Sequence, residues 1–241
     1  MKPVALLQHD ATQRPGVLLE FLSREGIPSV TLHPEDGSFV PRTARDFSGI
    51  VLLGSQRSVN DSVSWIDTEM ALVRDAMAHD VPVLGHCFGA QLMARALGAR
   101  VSRNAWTNIG WSRLHVTPHA RHLFDSAEVV AFNWHYETFS IPPGAQRILF
   151  GEHCLNKGFS IGKHLAFQCH FEVTEEIVRE WCAQADDELE QAAGPAVQSR
   201  QQILARLRDH LPALHRVARQ VYAQWAAGLA RPVAVSLHGG W

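Results

Sequence analysis

The chain has 241 residues, 46% of them hydrophobic, and a formal net charge of −2 at pH 7. That length suits one substantial α/β domain with an appendage and is too short for two large catalytic domains. A near-balanced charge without a long run of either sign speaks against nucleic acid or an anionic membrane as the main partner, and for a small-molecule substrate.

The opening stretch, MKPVALLQHDATQRPG, turns polar after a few apolar residues and carries no small-residue cleavage site, so it reads as a first strand and not a signal peptide. No apolar run approaches the roughly 20 residues that a membrane helix needs. Strand-like runs at Val4–Gln8, Ser29–Leu32, Ile50–Gly54 and Val81–Gly85 alternate with helical periodicity near Arg14–Arg24, Trp65–His79 and Phe88–Leu97. The alternation predicts a doubly wound α/β fold, an open, mostly parallel sheet with helices on both faces. From Arg113 to Gln168 the pattern shifts to SRLHVTP, AEVVAFN, QRILFGEH, GFSIGKH and LAFQCHFE, short strands that predict flanking antiparallel pairs.

A helix is expected from about Thr174, and DDELEQAAGP then interrupts the pattern. From Ala196 to Ala227, residues Ile203, Leu204, Leu207, Leu211, Leu214, Val217 and Val221 keep near-helical spacing, with Pro212 expected to kink or divide the stretch. The expected division is a catalytic domain over residues 1–184 and a C-terminal helical extension over 185–241 packed on the core. A dimer or partner contact is the other use for such a stripe. Four cysteines, Cys87, Cys154, Cys169 and Cys182, lack both the paired spacing of a zinc site and the density of a disulfide scaffold, which points to a reducing cytoplasm.

Within VPVLGHCFGAQL, Cys87 stands where a strand pattern gives way to a helical one, between Gly85 and Gly89. Gly-x-Cys-x-Gly at such a corner is a nucleophile elbow, whose tight turn leaves no room for side chains beside the nucleophile. The helix N-terminus beyond it offers unpaired N–H groups and partial positive charge, which favour a thiolate and can stabilise an oxyanion. A cysteine nucleophile needs a base, and the base an orienting acid. In LAFQCHFEVTEE, His170 and Glu172 lie two apart at the end of an expected strand, so their side chains leave one face and Glu172 can hold the imidazole from behind. An α/β-hydrolase has its acid before the histidine, whereas here it follows. Metal sets such as His164, Cys169 and His170, or His115, His119 and His122, lack ligand spacing, so no metal is expected.

Taken together, GHCFGAQ, NWHYETF and FQCHFE resemble the motifs of the class I glutamine amidotransferase family, over roughly the first three quarters of the chain. LLGSQRSVNDSVSWIDTEMALVRDA followed by VPVLGHCFGAQL is similar to stand-alone proteins related to the glutaminase domain of GMP synthase. The resemblance implies a flavodoxin-like fold and cleavage of the γ-carboxamide of glutamine, releasing ammonia and glutamate. Cys87 would form a γ-glutamyl thioester, with His170 as base then acid and Glu172 orienting it. Gln91 would contact substrate, the Gly54–Ser55 turn and Phe88 would supply the oxyanion N–H groups, and Trp134, His135 and Glu137 would lie in a loop touching the amino-acid end of the substrate.

Three positions depart from the family pattern. Its Gly-Gly-Pro turn is Gly54, Ser55, Gln56; its His-Pro-Glu is His170, Phe171, Glu172; the histidine before Gln91 is Ala90. A Cβ at Ser55 disfavours positive φ, so its N–H is expected to be misdirected, a brake that Ser55→Gly would release. No phosphate-cradling glycine loop followed by Lys-Ser/Thr occurs, so no synthetase domain is expected in the chain, and no cofactor is expected. Ammonia would pass to a separate synthetase subunit, or the protein would be a free-standing γ-glutamyl peptidase, a homodimer being open in either case. A non-catalytic binding module is the remaining alternative.

Overall fold

The computed structural model describes residues 1–36, 39–185, 189 and 191–229. Nine strands form one sheet: β1 Val4–Leu7, β2 Ser29–Leu32, β3 Gly49–Leu52, β4 Val83–His86, β5 Val101–Val116, β6 Glu128–Phe139, β7 Gln146–Phe150, β8 Gly158–Ile161 and β9 His164–Phe167. Their order is β2-β1-β3-β4-β9-β8-β7-β5-β6. The neighbours from β2 through β9 run parallel. From β9 to β6 every pairing is antiparallel.

Alternation along each strand sorts side chains to two faces. Val4, Leu6, Val51, Leu53 and Leu84 join one apolar cluster, and Ala5, Leu7, Ile50, Leu52 and Val83 join the other. Helices α2 (Ser64–Ala78) and α3 (Phe88–Ala96) cover the second cluster. Helices α1 (Gly16–Arg24), α4 (Glu175–Gln184), α5 (Arg200–Ala205) and α6 (Leu207–Ala226) cover the first. The Thr174 hydroxyl caps α4 by accepting from Ile177 N–H at 3.3 Å, with Glu175 and Glu176 in the first turn to meet the helix dipole.

Local pattern and structure differ in four places. The strand expected from Ser112 begins at Val101, because β6 pairs with it along most of its 16 residues. Trp134, His135 and Glu137 stand on β6 and not in a loop, held opposite Ile109, Asn108 and Arg103. The β9 strand stops at Phe167, short of His170 and Glu172. The C-terminal stretch divides at Arg206 and not at Pro212, which sits inside α6. Pro212 would break the bond to the carbonyl of Arg208, and that residue is only the second of α6, where a new helix absorbs the tilt. Residues 230–241 of the expected extension, and parts of DDELEQAAGP, lie outside the described residues. Among the described residues no helix is long and apolar enough to cross a membrane.

Candidate active site

The chain leaves β4 through a constrained corner. Cys87 has φ 50° and ψ −108°, a conformation that L residues adopt only when the surroundings impose it. The surroundings do so. A Cβ on Gly89 would come within 2.1 Å of the Leu52 carbonyl oxygen, and one on Gly85 within 2.7 Å of both Gly89 C and Met93 Sδ. The Cys87 N–H donates to Phe167 O at 2.7 Å and the Gly89 N–H to Leu53 O at 3.2 Å, tying the elbow to β9 and to the end of β3. Phe88 opens α3, so its N–H has no partner within the helix. The Cys87 Sγ donates to Trp134 O and accepts from Gln168 Nε2, each at 3.7 Å.

His170 lies past β9 but is fixed by its N–H bond to Phe132 O at 2.8 Å, across the sheet end. The alternation expected of a strand is replaced there by this single bridge. His170 Nδ1 and Glu172 Oε1 are 2.5 Å apart, both side chains buried. The Trp181 ring packs edge-on to the imidazole with centroids 4.9 Å apart. Burial opposes the His170 charge, but the Glu172 carboxylate and then Cys87 outweigh it and raise its pKa to about 10. The Glu172 pKa is lowered, since His86 and His170 together overcome its burial. His86 Nδ1 is 3.3 Å from Glu172 Oε2, without hydrogen-bond alignment. Burial holds His86 below the usual histidine range, and its Nε2 faces the Tyr222 hydroxyl of α6 at 3.4 Å.

A cavity of about 550 Å³ opens over the corner, lined by Cys87, Phe88, His170, Ser55, Gln91, Trp134, His135 and Glu137, among others. Two expected residues, Glu172 and Gly54, stand behind its wall. A Cβ on Gly54 would lie 2.2 Å from Gln13 Oε1 and 3.2 Å from His170 Cε1. Gln91 Nε2 donates to Glu137 O and Gln168 Oε1 at 3.3 and 3.2 Å, and the Glu137 carboxylate accepts from Ser58 Oγ at 2.8 Å. His135 is 3% exposed and spends both ring nitrogens inside the protein, Nδ1 on Glu137 O at 2.9 Å and Nε2 on Lys157 Nζ at 2.7 Å. Ser55 has no positive φ; among the described residues Asp80 and Cys87 are the non-glycine positions that do.

Several residues at the site escaped the sequence analysis. Gln168 bridges Cys87 and Gln91; it lies inside FQCHFE, and its place two before His170 was the available signal. Gln13 and Arg103 line the cavity from the loop after β1 and from β5. Lys157 is buried behind His135 and donates to Asn108 Oδ1 at 2.8 Å and Asn133 Oδ1 at 2.7 Å. No local pattern announces that lysine, whose partners come from two other strands.

The chain matches glutamine amidotransferase class-I over residues 23–179. A glutamine amidotransferase-like protein of Salmonella typhimurium, YfeJ, is 25% identical over 79% of this chain and 84% of its own length. A GMP synthase of Aromatoleum aromaticum is 31% identical over 61% of this chain, a match that spans 29% of the synthase. Among solved structures, a glutamine amidotransferase of Methylobacillus flagellatus superposes with a TM-score of 0.95 at 41% identity, covering 99% of both chains. One from Thermotoga maritima, at 24% identity and TM-score 0.84 over 92% of this chain and 97% of its own, shares the fold.

Proposed function

The chain belongs to the class I glutamine amidotransferase family, and from that premise we propose that it cleaves the γ-carboxamide of glutamine at Cys87 through a γ-glutamyl thioester. The carrying observation is the strained Cys87 corner opening on the same cavity as His170, with Glu172 2.5 Å behind the imidazole. In this reading the Cys87 thiolate attacks the carbonyl carbon of the carboxamide, and negative charge collects on the carbonyl oxygen, which the N–H groups of Ser55 and Phe88 meet. His170 gives its proton to the departing nitrogen and ammonia leaves. It then takes a proton from water, whose oxygen attacks the thioester carbon, so that glutamate departs and the thiolate returns.

Gln91, Trp134, His135 and Glu137 are proposed to shape the substrate end of the cavity. For Gln91 and His135 the contacts support an indirect role, because Gln91 Nε2 and both His135 ring nitrogens already engage Glu137, Gln168 and Lys157. The proposal includes the division into a catalytic unit over 1–184 and a helical extension over 185–241. It also includes a reducing cytoplasmic setting, supported by four free cysteines. Because the matched GMP synthases are much longer than the matched region, a separate synthetase that takes up the ammonia is a reasonable acceptor.

The test is release of ammonia and glutamate from glutamine and from a set of γ-glutamyl peptides, with Cys87→Ala as blank. Ammonia from glutamine is the expected result. Cleavage of the peptides alone would make the protein a free-standing γ-glutamyl hydrolase, and no release from either would make it a binding module.

A further inference from the structure

A second histidine–glutamate pair lies behind the cavity wall, and nothing in the chemistry above uses it. His9, in the loop after β1, is 1% exposed, and Glu69 on α2 is fully buried. The two Glu69 oxygens each lie 3.0 Å from His9 Nε2, while His9 Nδ1 is 3.1 Å from the carbonyl oxygen of Gly54. Trp65 stacks on the imidazole at 5.0 Å and 19°, and Phe88, the residue after the nucleophile, tilts against it at 4.8 Å.

Toward a carboxylate and a carbonyl the ring must donate from both nitrogens, an arrangement that the imidazolium completes. Burial works against that charge, but Glu69 first, then the Gly54 carbonyl and Asp10, raise the His9 pKa. Glu69 and Asp10 are the charged groups facing it; the stacked rings are neutral.

The Gly54 carbonyl belongs to the peptide whose other half is the Ser55 N–H. In a planar trans peptide the C=O and N–H point in opposite directions, so holding the oxygen against His9 turns the N–H away from it. Ser55 lines the cavity beside Cys87 and Phe88, and its N–H has no acceptor among the described residues. A Cβ at Gly54 would crowd the end of the Gln13 side chain and the His170 ring, and a glycine leaves its own peptide free to turn. Orientation must come from a neighbour.

We infer that His9 and Glu69 are positioning residues that clamp the Gly54–Ser55 peptide with the Ser55 N–H turned into the cavity as an oxyanion donor. The clamp explains how Ser55 can replace a glycine: the peptide is fixed from its carbonyl side, and residue 55 keeps an ordinary φ. Ser55 is then no brake, contrary to the expectation from its Cβ. The inference rests on the proposed glutaminase reading for its kinetic consequence, though not for the charge state of His9.

Two measurements test it. Nitrogen NMR of wild-type protein labelled at histidine should show a proton on His9 Nδ1 at pH 7.5; a bare Nδ1 overturns the clamp without any variant. In Glu69→Gln, kcat for glutamine should fall about thirtyfold, as for a weakened oxyanion donor. KM and the rate of Cys87 alkylation by iodoacetamide should both stay within about twofold, since the donor acts mainly on the transition state. Unchanged kcat, or alkylation falling in step with kcat, refutes the inference, the latter because it marks general damage. A wild type inert toward glutamine would sink the functional reading instead, and the NMR result would then decide the clamp alone.

Discussion

Two buried histidines in this molecule each lean on a glutamate, and the readings proposed above give them opposite purposes. His170 meets Glu172 through Nδ1 alone and lines the cavity that Cys87 shares. His9 is tied at both nitrogens, to Glu69 on one side and to a backbone carbonyl on the other. A carboxylate raises the pKa of both rings against the pull of burial. What separates them is the other ring nitrogen: in His170 it is turned to Cys87 at the cavity, where it can pass a proton, whereas in His9 it is engaged on a backbone carbonyl and holds a shape. A shifted pKa therefore does not distinguish a proposed catalytic base from a structural clamp; the partner of the other nitrogen does.

The sharpest break in that comparison removes the proposed base. His170→Ala should lower glutamine turnover at least about a thousandfold, as loss of a triad base does elsewhere, with the unfolding midpoint measured alongside to show that the fold survives. Alkylation followed by mass mapping extends the contrast to the thiols. Cys87 should react first, while Cys169, fully buried and with its pKa pushed far up by burial, should stay unmodified. Preferential labelling of Cys169 would overturn the site.

Glu172→Gln should cost less, about a hundredfold, because the glutamate orients the base without taking the proton. It should also move a limb of the pH profile. With His170 at about 10, the imidazolium that protonates the departing nitrogen is lost as pH rises through that value, so kcat falls on the alkaline side near pH 10. Without the carboxylate, burial pulls the imidazole down and the limb should shift to lower pH. A limb that stays in place would mean another group holds it.

A third buried histidine, without a carboxylate partner, sharpens the comparison from the other side. His164 Nδ1 accepts from the Val83 N–H at 3.1 Å, joining β9 to β4 as a neutral ring. Burial, helped by Lys163, lowers its pKa to about 4. The unfolded chain therefore binds this proton first as pH falls below about 6.5, and stability is lost between there and pH 4. His164→Gln should remove on the order of 2 kcal/mol of the drop between pH 7.5 and 4.5 in urea unfolding. An unaltered drop would show that the ring does not titrate this way. The smallest effect belongs to Tyr222→Phe. It deletes the hydroxyl facing His86 at 3.4 Å and should change turnover by less than about threefold, since that contact is long.

How much of the site could be read locally followed from how far apart its parts are in the chain. Gly85, Cys87 and Gly89 form one corner, and His170 and Glu172 are two residues apart, so both groups announce themselves within a few positions. Trp134, His135 and Glu137 were legible as a motif but not as a strand, because β6 exists through its pairing with β5. Gln168 beneath Cys87 was marked only by its place in FQCHFE, and Lys157 behind His135 and the pair His9 and Glu69, 60 residues apart, had no local signature. Their roles arise where separate elements converge, and a single histidine among fourteen carries no mark of its partner.

The sequence by itself determined the alternation of strands and helices, the nucleophile corner and the family, because periodicity and glycine sterics act over a few residues. The strand order, the break at Arg206 in place of Pro212, and the raised pKa of His9 and His170 beside the lowered pKa of His86, His135 and His164 came from the folded arrangement. Those outcomes depend on burial and on charges brought together across the sheet, where an apolar surround makes each unpaired polar atom costly and so selects the partners.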